Sequence, residues 1–287
     1  MDSFREVNEV LSSIPTIEGA GVHLKRVFGN KQMHRLDPFL LLDDFHSDNP
    51  EYYEKGFPWH PHRGIETITY VLNGNIEHGD SMGNSGIISS GDVQWMTSGS
   101  GIIHQEMPAG EESGLLWGFQ LWSNLPAAQK MMEPRYREIK SHDIPEVTTD
   151  TGAKIKIICG EVLGVKGPVR DIVIEPEYLD ITVPPETMFT YSVTEGHTVF
   201  AYIIDGSGDF NAGHDSRAVT GPENLVIFGD GIEIAVSSGS AGVRFLLVSG
   251  KPIKEPIAWY GPIVMNTNAE LKQAFEEYEA GTFIKHR

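Results

Sequence analysis

From residue 22 to residue 248 the sequence is a succession of short β-type runs separated by turn residues, and this alternation constrains the fold more than any other feature. VHLKRVFG (22–29), IETITYVL (65–72), LLWGFQLW (115–122), KIKIIC (154–159), LDITV (179–183), VFAYII (199–204), LVIF (225–228) and VRFLLV (243–248) are rich in β-branched and aromatic residues. Gly, Pro, Asn or Asp bound them, so each reads as a strand closed by a turn. A helical pattern is clear only near the end. Thr267 and Glu270 have the spacing of a capping box, Leu271, Ala274, Phe275 and Tyr278 recur on one face, and Gly281 stands where a helix stops. The expected architecture is all-β with one C-terminal helix, its apolar stripe laid on a barrel.

The strands repeat. Glu66–Gly74 (ETITYVLNG) aligns with Thr198–Gly206 (TVFAYIIDG), tyrosine on tyrosine and glycine on glycine, 132 positions apart. Seventeen residues beyond each glycine, GDVQWM (91–96) lies over ENLVIF (223–228). Two copies of one barrel follow, joined in the Pro- and charge-containing stretch 134–150. The expected domains are residues 1–140 and residues 141–287, the second carrying the helix.

Composition excludes several classes. Twenty-two basic against 40 acidic residues give a net charge of −18, which repels phosphate backbones and argues against direct nucleic-acid binding. Cys159 is the only cysteine, so disulfides within the chain and thiolate metal clusters are ruled out, and its place in a strand reads as a buried structural thiol. The N-terminal stretch is not a signal peptide, and no run of 18 apolar residues marks a membrane span.

The chemistry concentrates in two pairs. His60-Pro61-His62 and His104-Gln105-Glu106 each place side chains at i and i+2, which point to one face of an extended strand. On neighbouring strands the pairs supply three imidazoles and one carboxylate. Without thiolate the set suits one divalent ion among Fe(II), Mn(II), Ni(II), Cu(II) and Zn(II), and leaves two positions open in an octahedral ion. The other histidines (23, 34, 46, 78, 142, 197, 214 and 286) read as surface or structural. Shifting the ligands by the repeat lands on Ser192, Thr194, Val236 and Ser238, or on Ile234 and Val236 for the last pair, so the second barrel is expected to hold no such metal.

GFPWHPHRGIETITYVLNG (56–74), GDVQWMTSGSGIIHQEMP (91–108) and GPIVMNTNAEL (261–271) resemble the signature segments of the pirins, as do PFLLLDDF (38–45) and the stretch from LWSNL to KMMEPRY (121–136). The resemblance runs from about residue 20 to the C-terminus. It implies two cupin-type (jelly-roll) barrels packed face to face, with His60, His62, His104 and Glu106 as the metal ligands and iron(II) as the usual ion. It also implies that Glu66 is not a ligand, although many cupins carry one there.

Two functions are attached to such proteins. One is a quercetin 2,3-dioxygenase, in which a flavonol chelates the ion through its 3-hydroxyl and 4-keto oxygens and reacts with O2. Glu106 is then both ligand and catalytic base. Trp59, Phe45, Trp95 and Met96 are candidates for the pocket wall or, more simply, for the core. The alternative is a non-enzymatic, redox-sensing iron protein that binds transcription or metabolic partners. The short N-terminus without basic clusters favours a cytoplasmic protein over a nuclear one, and two barrels covering each other within one chain favour a monomer.

Overall fold

The protein, described by a computed structural model, is defined over residues 4–215 and 217–286. It divides into two compact units, residues 14–141 with 253–287 and residues 1–13 with 142–252. The first strand, β1 (Val7–Ser12), belongs to the second of these.

The N-terminal barrel is built from β2 (Ile14–Glu18), β3 (Val22–Phe28), β4 (Phe39–Ser47), β5 (Phe57–His62), β6 (Ile65–Asn73), β7 (Asn75–Asp80), β8 (Ser85–Ser89), β9 (Val93–Thr97), β10 (Ile102–Ala109), β11 (Leu116–Asn124) and β12 (Arg135–Ile139). One sheet runs β12-β9-β6-β11-β4-β3-β2, and a smaller one runs β5-β10-β7-β8.

The C-terminal barrel takes β13 (Glu146–Thr148), β14 (Lys154–Cys159), the small hairpin β15 (Glu161–Val162) and β16 (Val165–Lys166), β17 (Glu177–Val183), β18 (Met188–Ser192), β19 (Thr198–Asp209), β20 (Val219–Thr220), β21 (Asn224–Phe228) and β22 (Glu233–Gly250). Its main sheet runs β1-β21-β19-β22-β17-β14-β13. The long strand β22 pairs with β18 in its first half and with β17 in its second, so it turns between two faces. Gly206 allows the matching bend in β19: it sits at φ 70°, and a Cβ there would meet the Gly242 carbonyl oxygen at 2.2 Å.

The two main sheets share one strand order, and the sequence repeat is kept in their register. Ile68 faces Trp95 and Tyr70 faces Val93 in the first barrel. Phe200 faces Ile227 and Tyr202 faces Leu225 in the second, each residue displaced by 132. The interiors differ. The second barrel is packed with apolar side chains, among them Ile155, Leu179, Ala201 and Phe245, and Ile234 and Val236 lie in that core. Cys159 is buried, with Sγ 3.3–3.4 Å from the Pro176 and Val169 carbonyl oxygens.

The two chain ends belong to the opposite units from those in the expected domains of residues 1–140 and 141–287. β1 pairs with β21 and fills, in the C-terminal barrel, the edge position that β12 fills in the N-terminal one. Arg5, just before it, donates to the carbonyls of Thr194, His197, Gly229 and Gly231.

The segment after 252 packs with the N-terminal barrel instead. It forms the hairpin β23 (Ala258–Tyr260) and β24 (Ile263–Met265), then α1 (Asn268–Glu279). The capping box of α1 is made in both directions, Glu270 N–H to Thr267 Oγ1 at 3.2 Å and Thr267 N–H to Glu270 Oε2 at 2.9 Å. Gly281 at φ 71° closes it, with Gly281 N–H on the Tyr278 carbonyl and Thr282 N–H on that of Glu277. Leu271, Ala274 and Phe275 pack against Ile263, Met265 and Ile103 of β10. A repeat marks the halves of a chain; it does not show which apolar face receives a terminal helix. Among the described residues no helix is long and apolar enough to cross a membrane.

Candidate metal centre

β5 and β10 are antiparallel neighbours, with His104 opposite His60 and Ile102 opposite His62. The two i, i+2 pairs therefore meet across the ladder. Ligand nitrogens of His60, His62 and His104 lie within 4.8 Å of one another, and the ring centroids are 4.3, 4.8 and 5.0 Å apart. His62 and His104 are buried.

Hydrogen bonds fix which nitrogens face inward. His60 Nδ1 is 2.9 Å from the Pro58 carbonyl oxygen and His62 Nδ1 is 3.0 Å from that of Pro262. A carbonyl only accepts, so both rings carry a proton on Nδ1 and present an Nε2 lone pair. These two Nε2 atoms face each other at 3.1 Å. Two lone pairs at that distance repel unless a cation lies against both. A proton is disfavoured in that role, because burial and the neighbouring His60 push the His62 pKa down to about 3. Burial, then the other imidazoles, also holds His104 well below its usual value. Neither ring nitrogen of His104 has a hydrogen-bond partner among the described residues, although the ring is fully buried. A buried polar group without a partner is costly. A transition-metal ion fits all three observations, and the donor set is the nitrogen-rich one such ions favour.

Glu106 lies outside the three-imidazole cluster. Its carboxylate accepts from Thr69 Oγ1 at 3.1 Å and from Gln120 Nε2 at 3.3 Å. A carboxylate has about four acceptor sites, so these bonds leave it able to ligate. Glu66 points elsewhere: it accepts from Thr97 at 2.6 Å and is fully buried, and burial raises its pKa against the effect of that bond.

The C-terminal hairpin completes the surroundings. Pro262 orients His62. Gly64 sits at φ 78°, where a Cβ would meet the Val264 carbonyl oxygen at 2.0 Å. Buried Lys130 donates to the carbonyls of Gly64 and Val264 and to Asn124 Oδ1.

Next to His62, buried Arg63 donates to the carbonyls of Ser100 and Phe283, lies 4.2 Å over the Phe283 ring and pairs with Glu277 of α1 at 2.8 Å.

The site opens into a cavity of about 610 Å³, lined by His60, His62, Thr69, Glu106 and Gln120 together with apolar side chains such as Leu41, Phe45, Trp122 and Trp259. Of the four candidate wall residues, Phe45 lines this cavity. Trp95 and Met96 are buried in the core, and Trp59 is 53% exposed and outside the lining.

Sequence reasoning missed a third i, i+2 pair, His78-Gly79-Asp80, on the next strand. Asp80 stands opposite His104, and His78 opposite Glu106. His78 is buried, its Nε2 is 3.2 Å from Asp80 Oδ2, and its ring lies between Tyr136 at 4.7 Å and His104 at 5.5 Å. The spacing was visible; a pairing register was needed to place it beside the ligands. Thr69, Gln120 and Pro262 carried no comparable signal.

Two antiparallel barrels of one strand order, the first gathering three imidazoles, define a two-barrel cupin with a single candidate metal centre among the described residues. A family profile described as Pirin matches residues 21–123, and one described as the Pirin C-terminal cupin domain matches residues 178–284. The chain belongs to the pirin family.

A Pseudomonas aeruginosa protein with the provisional name quercetin 2,3-dioxygenase is 41% identical, over 98% of this chain and 99% of its own. A Thermoplasma acidophilum protein with the same provisional name is 44% identical, over 85% and 98%. The crystal structure of a quercetin 2,3-dioxygenase from Acinetobacter baumannii superposes with a TM-score of 0.88 at 31% identity, covering 98% of each chain.

Proposed function

We propose that the N-terminal barrel is a metal-dependent dioxygenase that opens the central ring of a flavonol such as quercetin with O2, releasing carbon monoxide. The observation that carries this reading is the buried, unpartnered His104 beside the paired Nε2 atoms of His60 and His62, at the end of a largely apolar cavity of about 610 Å³. Relatives named for the same activity support it. His60, His62 and His104 hold the ion, with Glu106 as the fourth ligand, and iron(II) is the ion proposed. When bound, the metal supplies Lewis acidity that lowers the pKa of a chelating hydroxyl.

The chain's own residues do the rest. Thr69 and Gln120 hold the Glu106 carboxylate at the cavity wall, where it accepts the proton of the flavonol 3-hydroxyl. Phe45, Leu41, Trp122 and Trp259 offer flat apolar surface to the rings and keep water away. The test is stoichiometric: iron(II)-loaded protein given quercetin should consume one O2 and release one CO per flavonol. Iron bound at one per chain with no consumption of quercetin would contradict the reading and favour a binding role.

A further inference from the structure

The cavity wall carries charge that a metal centre does not require. Arg26, Asp43 and Glu18 line the same cavity as His60, His62 and Glu106. Arg26 holds Asp43 through Nε to Oδ1 at 2.7 Å and Nη2 to Oδ2 at 2.8 Å, and Nη2 also reaches Glu18 Oε1 at 3.0 Å, which leaves Nη1 as a donor. Asp43 is 5% exposed. The Arg26 and Glu18 side chains keep 28% and 42% of their exposure, so the pair stands where the wall still meets solvent, and because desolvating Asp43 costs about what its attraction to Arg26 returns, stability gives little reason to place it there.

The strand register shows what the pair is continuous with. Arg26 stands opposite Asp43, Asp43 opposite Gln120, and Gln120 opposite Thr69. Cross-strand partners share a face. The four form one row over β3, β4, β11 and β6, and all four line the cavity. At one end the row closes on Glu106, bonded by Thr69 and Gln120. At the other it ends in a guanidinium and two carboxylates. Followed along the curved sheet, three strand spacings put about 14 Å of wall between the ends. On either side of the row the wall is apolar: Leu24 beside Arg26, Leu41 and Phe45 flanking Asp43, Trp122 beyond Gln120.

We propose that Arg26 and Asp43 form the second pole of the ligand site and select extended chelating aromatics that carry hydroxyl groups at the end remote from the chelate. Asp43 and Glu18 accept from those hydroxyls and Arg26 Nη1 donates to them, while the apolar walls hold the rings between the poles. Poles set three strands apart along the wall suit a fused bicycle with a pendant ring better than a single-ring chelator. The inference rests on reading the first barrel as a flavonol site.

The test is binding without turnover. Iron(II)-loaded full-length protein is titrated under anaerobic conditions with quercetin, and with 3-hydroxyflavone, which has the same chelating oxygens and no remote hydroxyls. The readout is the ratio of the two dissociation constants. The wild type should prefer quercetin by about tenfold, the worth of one hydrogen bond to a charged group. In R26M the ratio should fall, and in R26M/D43L, which also removes the buried acceptor, it should fall towards unity, both at unchanged iron content. Where R26M fails to fold because Asp43 is left unpaired, R26M/D43L, which removes both charges, carries the test. Equal affinities in the wild type, or a preference that survives in the variants, overturns the inference and leaves the proposed function standing. Failure of both flavonols to bind overturns the two together.

Discussion

His104 is the residue whose surroundings are hardest to explain without an ion. Its ring is fully buried, and neither nitrogen has a hydrogen-bond partner among the described residues. Replacing His104 or His62 with alanine should lower metal affinity by more than about 100-fold, the upper range for losing an outer-shell partner. The far-ultraviolet circular dichroism should be unchanged, since one ligand carries little of either core. Metal content by elemental analysis checks this; an apo-like unfolded spectrum would make the ion structural. Thr69→Val should act differently, keeping the metal while slowing quercetin turnover by about tenfold or more, because it frees one oxygen of the proton acceptor. A drop in bound metal instead would show that Thr69 serves the ligand set. The histidine pairs were legible in the sequence because i, i+2 alternation is local. Thr69, Gln120 and Arg26 were not: pairing register, set by strands up to 94 positions apart, brings them to one wall.

At the scale of elements, the C-terminal hairpin and helix are what the sequence placed least well. The capping box, stripe and stop of α1 were readable, because each is encoded within a turn or two. Its docking was not, because that depends on Ile103 and Arg63, more than 150 positions earlier. Arg63 binds α1 to the strand that carries His60 and His62. Arg63→Met should lower the stability of the N-terminal barrel by about 3 kcal/mol, since it leaves two buried carbonyls without their donor and removes one of the three partners of Glu277; urea denaturation checks this.

Glu277 also gives the anchor a pH dependence. Burial alone would raise its pKa, but bonds from Lys285, Gln273 and Arg63 outweigh that and hold it at about 2, below the usual 4.5. A carboxylate depressed on folding stabilises fully above its unfolded pKa and loses that contribution as pH falls through the folded one. Metal-free protein should therefore lose part of its stability between about pH 4.5 and pH 2, and Arg63→Met should show a smaller loss over the same window. An identical pH profile in the variant would count against the anchor.

For the whole molecule, the repeat was legible as two stretches of similar sequence, and the register confirms it to the residue. What differs is the filling. The first barrel keeps a cavity with a row of polar side chains, and the second packs its interior with Ile, Val, Leu and Phe. Two separate cores predict two transitions in calorimetry. A metal held only at the N-terminal centre should, at 1,000 times its dissociation constant, stabilise that transition by about 4 kcal/mol and leave the other in place. Phe245→Ala should do the reverse, costing the C-terminal transition about 3–5 kcal/mol. A single transition moved equally by both changes would mean that the barrels unfold as one.

If the three imidazoles and Glu106 make a flavonol dioxygenase, turnover must depend on Glu106 as well as on the ion. The most direct test is oxygen uptake on quercetin by wild-type and Glu106→Gln proteins brought to equal iron(II) content. The wild type should take up oxygen and the variant should lose at least about 100-fold of that rate, the usual range for removing a catalytic base. Equal uptake by the two would contradict that dependence.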